Sequence, residues 1–299
     1  MLRAAGIAVF LLFAACRVGA CAPPPPEHPR FWLAGDLNLG PNGGPERISA
    51  VSSQLHGAGI VNLEGPVGDP ARGSSKERLI NGPNACAALF DAGVRVAQVV
   101  NNHAMDLQSP GVEQTLLELK SAGLLASSET PVFYDAGTFT LAVQSFDLTS
   151  GVPYDFLKRL SPVRPLFLTL HVTAEPLLLP EPELEATTEL ALDAGVTLIA
   201  AQGTHSLAPL KWRGGALVAY GLGNLAFDCD CTDEEDGLAL EVQLTPDGGL
   251  EDAWAVPVKA GLKGQPAALA ADPAFTWQVL QNIGSSRLEP NGTRARVIR

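Results

Sequence analysis

The chain has 299 residues, 46% hydrophobic and 17% charged, which excludes a disordered, charge-dominated polymer and leaves enough apolar material for one large core or two small ones. Twenty Lys and Arg against 32 Asp and Glu give a net charge of −12, which argues against binding a nucleic-acid backbone or being drawn by charge to an anionic membrane. Thirty Gly and 24 Pro follow no fixed period, so many short loops are expected and collagen-like sequence is excluded.

Residues 1–21 read as an export signal. Arg3 precedes an apolar run over 4–15, about the length of a signal-peptide core and too short for a mature spanning helix. Ala14-Ala15-Cys16 and Val18-Gly19-Ala20-Cys21 both look like bacterial lipobox sequences, in which Cys16 or Cys21 would become a lipidated first residue. Cleavage after Ala20 without lipid is the alternative. Residues 22–29, with four consecutive prolines, are an extended tether. A main domain is expected over 30–258 and a C-terminal extension over 259–299.

From residue 30, short apolar runs alternate with helical patterns. Strands are expected at 31–35, 59–63, 94–100, 138–146, 165–170, 196–201 and 217–222, and two more at 238–244 and 253–258. Helices are expected at 45–55, 84–91 (Asn84 as N-cap, Gly93 as terminator), 111–122, 182–194 and 273–283. This rhythm predicts an α/β fold with a largely parallel sheet. Among the cysteines of the body, an oxidising envelope would allow Cys86 to pair with Cys229 or Cys231. The acidic run over 228–236 reads as a solvated loop, with a weak Ca²⁺ site as the lesser reading.

Chemistry in such folds gathers at the carboxyl ends of the strands. Five successive predicted strands end in residues of metal-ligand type: Asp36, Glu64, Asn102 with His103, His171 and His205. Three of the five histidines fall there. One Asp, one Glu, one Asn and two or three His suit two hard or borderline divalent ions that would clamp a phosphoryl group and ionise a water. No Gly-rich phosphate loop and no Gly-x-Ser-x-Gly nucleophile turn competes with this reading.

These residues lie in segments that resemble the capsule-synthesis CapA family, also called the poly-γ-glutamate biosynthesis family, whose fold is similar to calcineurin-like metallophosphatases. The segments are Gly35-Asp36-Leu37-Asn38-Leu39-Gly40, Val61-Asn62-Leu63-Glu64-Gly65-Pro66, Asn101-Asn102-His103-Ala104-Met105-Asp106, His171-Val172-Thr173-Ala174-Glu175, Gly203-Thr204-His205 and Tyr220-Gly221-Leu222-Gly223-Asn224-Leu225-Ala226-Phe227-Asp228. The resemblance implies a four-layer α/β-β/α sandwich and a two-metal site. It would make Asp36 and His205 ligands of one ion, Glu64 the bridge, and Asn102 and His171 ligands of the second, with Asn38 able to reach the first. His103 would be the acid or phosphate-orienting group, held by Asp106, and Asn224 a substrate-binding residue.

The family's late Gly-x-His-Pro-His is here Ala201-Gln202-Gly203-Thr204-His205, so one imidazole is replaced by Gly203 and one ion is short a ligand. Gln202 is the nearest substitute, and an amide is a poorer ligand than imidazole for a transition metal. His-Trp-Gly-x-Glu-Tyr becomes His171-Val172-Thr173-Ala174-Glu175-Pro176, which loses the aromatics. Two readings follow. One is an exported hydrolase of a phosphoester or related envelope-polymer bond, using Mn, Fe or Zn. The other is a non-catalytic envelope lipoprotein that aids export of an anionic capsule polymer through the capsule machinery, with a degenerate metal site.

Overall fold

The computed structural model describes residues 28–69, 71, 78–172, 182–230 and 232–299. The export signal, Cys16, Cys21, most of the tether, residues 173–176 and Cys231 lie outside the described residues. Strand β1 (Arg30–Asn38) leads through a 3-10 turn (Pro45–Arg47) and the short α1 (Ser49–Ser52) to β2 (Ala58–Leu63). Helix α2 (Ala85–Asp91) precedes β3 (Val94–Gln98), and α3 (Gln108–Ser121) precedes β4 (Leu125–Ser127). The chain then builds a second sheet from β5 (Val132–Asp135), β6 (Thr140–Asp147), α4 (Phe156–Arg159), β7 (Leu166–His171), α5 (Pro182–Asp193), β8 (Leu198–Gln202), β9 (Leu210–Arg213) and β10 (Ala216–Ala219). It returns with β11 (Asn224–Phe227), β12 (Asp236–Leu244), β13 (Leu250–Lys259), β14 (Gly261–Leu262), β15 (Ala268–Leu269), α6 (Pro273–Asn282) and the hairpin β16 (Leu288–Asn291) and β17 (Arg294–Val297).

Among the described residues the first sheet runs β16-β17-β13-β12-β1-β2-β3-β4, with β11 and β14 joined at the end of β1 and β15 beside β13. The second runs β5-β6-β7-β8-β10-β9. Strands β1 to β4 are mutually parallel, as are β6, β7, β8 and β10. The two sheets face each other across a core of Phe31, Leu33 and Ile60 against Leu141, Phe167, Leu198 and Leu217. Ile48, Val51, Leu89 and Leu119 cover the outer face of the first sheet, and Phe156, Leu184 and Ala191 that of the second. This is the expected four-layer α/β-β/α sandwich. The near-continuous apolar strands are what burial on both faces requires.

Several local expectations change. The helix over 45–55 shrinks to a 3-10 turn and a single α-turn. Ile48 leaves helical space (φ −131°), and the Arg47 carbonyl accepts from Ala267 N at 2.7 Å instead of from its own helix. Asn84 stands at the start of α2 with no side-chain cap bond. Cys86 is a free thiol, buried among Trp32, Ala88 and Leu89 on the helical side of the first sheet. Cys229 is disulfide-bonded and belongs to a separate cluster with Leu79, Phe227 and Leu262. Cys86 is free, so its expected pairing with Cys229 or Cys231 is corrected. Residues 259–299 add β14 to β17 to the first sheet, and Trp277, Leu280, Ala295 and Val297 to the core between the sheets.

Candidate metal centre

The site is assembled where strand β1 changes partner. Residues 30–34 pair antiparallel with β12, and residues 36–38 pair parallel with β11. The switch requires Gly35: a Cβ there would lie 1.8 Å from the Gly223 carbonyl oxygen. The backbone crosses so closely that Asp36 N donates to Gly223 O at 2.9 Å. Asp36 thus emerges at the carboxyl end of the strand, 1% exposed, between the two sheets.

Glu64 follows β2 directly and is equally buried. Its backbone is clamped. Its N–H donates to Leu37 O at 2.8 Å, and its carbonyl accepts from Asn38 Nδ2 at 2.8 Å and Asn81 Nδ2 at 3.0 Å. The other Asn38 atom, Oδ1, accepts from Gly40 N at 3.1 Å. The structure therefore places Asn38 as a brace for Glu64, with both amide atoms committed to backbone. Asn81, which sequence reasoning missed, does the same work from a loop that carries no ligand pattern.

His171 ends β7 at 1% exposure. Its Nε2 lies 2.9 Å from Asn102 Oδ1 and 3.7 Å from Glu64 Oε1. Its Nδ1 lies 3.2 Å from Asn62 Nδ2, which also donates to Asp36 Oδ1 at 2.8 Å. Asn101 Nδ2 donates to Asn62 Oδ1 at 3.3 Å and to Leu63 O at 2.9 Å. Asn62 and Asn101 were also missed as site residues. Their signal was a polar residue inside an otherwise apolar strand and a doubled Asn after one.

His205 sits in a left-handed backbone conformation (φ 53°), a strain that clusters at functional sites. Its Nδ1 lies 2.9 Å from Asn224 Oδ1 and 3.3 Å from Asp36 Oδ2, and its ring packs edge-on against Phe227 at 4.7 Å. Asn224 is fully buried, its Nδ2 donating to Glu234 O at 3.1 Å. The structure thus places Asn224 as the orienter of His205. His103 is half-buried, its Nδ1 donating to Asp106 Oδ2 at 2.8 Å. Asp106 in turn accepts from Leu79 N at 2.6 Å.

Among the described residues, Asp36, Glu64 and His205 offer ligand atoms that all lie within 4.8 Å of one another. Burial pushes the Glu64 carboxyl up to about 8, and the Asp36 charge adds to it. Burial also works on Asp36, but the hydrogen bond and charge of His205, the charge of His171 and the Asn62 amide outweigh it and hold that carboxyl below its usual range. The His205 ring, disfavoured as a cation by burial, is held up at about 10 by Asp36, Glu64 and Asn224. Burial drives His171 down to about 4, so it is neutral at pH 7. Glu64 Oε2 is buried with no hydrogen-bond partner. A buried carboxylate oxygen left without a donor is costly unless a proton or cation meets it. The donor set of two carboxylates and an imidazole fits a divalent ion of the Mn²⁺, Fe or Zn²⁺ type.

The profile of the "Bacterial capsule synthesis protein PGA_cap" family matches residues 46–139 and 163–229, more than half of the chain. The chain belongs to this family. The "PGA biosynthesis protein CapA" of Bacillus subtilis (strain 168) is 25% identical over 231 residues, which span 64% of this chain and 61% of that protein. Among solved structures, a hypothetical protein from Thermus thermophilus shares the fold with a TM-score of 0.53 at 12% identity, covering 76% of this chain and 98% of that one. A 5'-nucleotidase precursor from the same organism gives a TM-score of 0.48 at 13% identity, covering 86% of this chain and 58% of that one.

In this capsule-synthesis family member, Gly203 has a structural cause. It adopts φ 92°, and its N–H donates to both Asp36 oxygens at 2.9 Å. A Cβ at this position would lie 2.5 Å from Val172 O and 2.7 Å from His171 Cε1. Neighbouring Gln202 donates Nε2 to Ala34 O at 3.2 Å, while its Oε1 is buried and without a partner. The acidic residues from Asp233 to Asp236 are exposed, and Lys263 neutralises part of the loop through Asp230 and Asp233. The loop's backbone meets the site through the Glu234 carbonyl.

Proposed function

We propose that this protein is an exported hydrolase of a phosphoester or related bond, dependent on a divalent cation, that serves the making of an anionic envelope polymer such as poly-γ-glutamate. The convergence of Asp36, Glu64 and His205 within 4.8 Å, with a buried carboxylate oxygen left over, carries this reading. Those three residues would hold the ion, which when bound supplies Lewis acidity toward a phosphoryl or acyl oxygen. Asp36 keeps its charge and orients His205. His103, its Nδ1–H taken by Asp106, would give a proton to a leaving group from Nε2 as the imidazolium and accept one there as the neutral ring. Asp106 is fixed by the Leu79 N–H, so the imidazole holds one orientation.

Metal analysis of the folded protein after exposure to Mn²⁺ and Zn²⁺, together with hydrolysis of bis(p-nitrophenyl) phosphate, tests the proposal. Retained metal and an activity lost in His205→Ala and His103→Ala are expected. A folded protein that retains no metal refutes it. Gly203 in place of a family imidazole favours a second reading, a non-catalytic lipoprotein scaffold for polymer export. Capsule production unchanged by His103→Ala and His171→Ala would favour the scaffold. Among the described residues no helix is long and apolar enough to cross a membrane. Attachment through a lipid on Cys16 or Cys21 is part of the proposal, and the mass of the mature N-terminus tests it.

A further inference from the structure

We infer that this chain holds one divalent cation, on Asp36, Glu64 and His205, and that His171, fixed by Asn62 as the Nε2–H tautomer, acts as a neutral hydrogen-bond donor where a second ion would otherwise sit. The inference rests on the metal-dependent reading above and narrows it. Two groups around His171 admit only one role, and they fix the rest. The Leu63 carbonyl only accepts, so the Asn101 atom 2.9 Å away is its NH₂. The same NH₂ faces Asn62 at 3.3 Å, which must present its oxygen there. The Asn62 NH₂ therefore points the other way, where the Asp36 carboxylate, an acceptor only, lies at 2.8 Å.

The second hydrogen of that NH₂ faces His171 Nδ1 at 3.2 Å. Nδ1 must then carry the lone pair. A neutral imidazole has one N–H, which falls on Nε2 and points at Asn102 Oδ1, 2.9 Å away. The carboxylate and the backbone carbonyl thus fix the tautomer from both ends of a buried chain of amides. In this state His171 has no lone pair to give: one nitrogen is bonded to Asn62 and the other carries a proton.

The remaining donors cannot replace it. Position 203 offers only a backbone N–H, already given to Asp36. Any side chain there would meet the His171 ring, whose Nε2 stands 2.9 Å from the position of a Cβ. Asn102 and Gln202 contribute neutral amide oxygens, and Glu64 is shared with the first position. Two amides and half a carboxylate lack the imidazole that Fe or Zn²⁺ favours and carry too little negative charge to hold Mn²⁺ well. An Nε2–H beside an amide is instead suited to an anionic oxygen of a phosphoester or carboxylate.

Two measurements on the full-length chain decide it. Titration with Mn²⁺, read by native mass spectrometry, should reach one ion per chain. His171→Gln should keep that ion, with Kd changed by less than about threefold, whereas Glu64→Ala should raise Kd at least about 100-fold. Nitrogen-15 spectra of the histidine rings should show His171 with a protonated Nε2 and an unprotonated Nδ1, before and after loading with Zn²⁺. Two ions per chain, loss of the ion in His171→Gln, or a His171 Nε2 that loses its proton on loading overturns this inference while leaving the hydrolase reading in place. No bound ion at all overturns both.

Discussion

Replacing Glu64 by Gln should stabilise the metal-free protein, although Glu64 is the residue on which the centre depends. Its carboxyl is held at about 8 against an ordinary 4.5, by burial first and the Asp36 charge second. A raised carboxyl means that the unfolded chain ionises first, so stability is full below pH 4.5 and drains away as pH rises through 8. At about 1.4 kcal/mol per pH unit, this separation costs roughly 4 kcal/mol at pH 8. His205 acts in the same sense: held at about 10 against 6.5, it stabilises fully below 6.5 and loses that contribution toward 10. Between pH 6.5 and 8 the two together give a loss of about 3 kcal/mol per pH unit. Below 6.5 the lowered His171, near 4, opposes Glu64 and flattens the profile. Gln has nearly the shape of the protonated acid and cannot ionise. In chelator, Glu64→Gln should therefore exceed the wild type by roughly 4 kcal/mol at pH 8 and halve the slope between 6.5 and 8. Urea unfolding followed by tryptophan fluorescence measures this, since Trp32 and Trp277 are buried in the native state. Mn²⁺ at 100 times Kd should close most of this gap, the wild type gaining about 3 kcal/mol and the variant little. A variant no more stable than wild type at pH 8, or with an unchanged slope, would refute the electrostatic account of the centre.

Three further outcomes follow from single positions. Gly203→Ala should cost about 2 kcal/mol or more, because φ 92° and a Cβ 2.5 Å from Val172 O combine strain with a clash; a thermal melt unchanged from wild type would contradict this. Asn224→Ala frees the His205 ring from its 2.9 Å partner, and should weaken Mn²⁺ binding about 10- to 100-fold with little change in fold, as judged by titration and circular dichroism. Burial, assisted by Glu118, pushes the Cys86 thiol up to about 12, so a disulfide reagent at pH 8 should leave Cys86 unlabelled until urea unfolds the chain; rapid labelling of the native protein would show that α2 opens.

The strand ends were legible in the sequence because a buried parallel strand is a short apolar run, and a polar residue closing it has few structural excuses. Asp36, Glu64, His171 and His205 could be read this way, and the rhythm of runs and helices gave an α/β fold with a largely parallel sheet; the division into two facing sheets came only with the family resemblance. What the sequence hid was the difference between a residue that faces the centre and one that braces it. Asn38 stands two residues after Asp36, so strand alternation sends both to the same face. Yet the brace it makes to the Glu64 carbonyl at 2.8 Å depends on how β1 and β2 end beside each other, which no local pattern encodes. Asn224 is a similar case: the switch of β1 from β12 to β11 brings it opposite Asp36 in register, within reach of His205. Asn62 and Asn101 were passed over because an amide among apolar residues reads as a defect or a turn. Only when the two sheets face each other does a chain of amides become the element that sets the His171 tautomer. Gly203 shows the converse. From the sequence it was a missing ligand; in the fold it is the position at which the backbone meets Asp36 and leaves His171 its place. A restored histidine at 203 would therefore collide with the centre it was meant to complete, and a change of metal stoichiometry in this chain would require His171 and Asn62 to change with it.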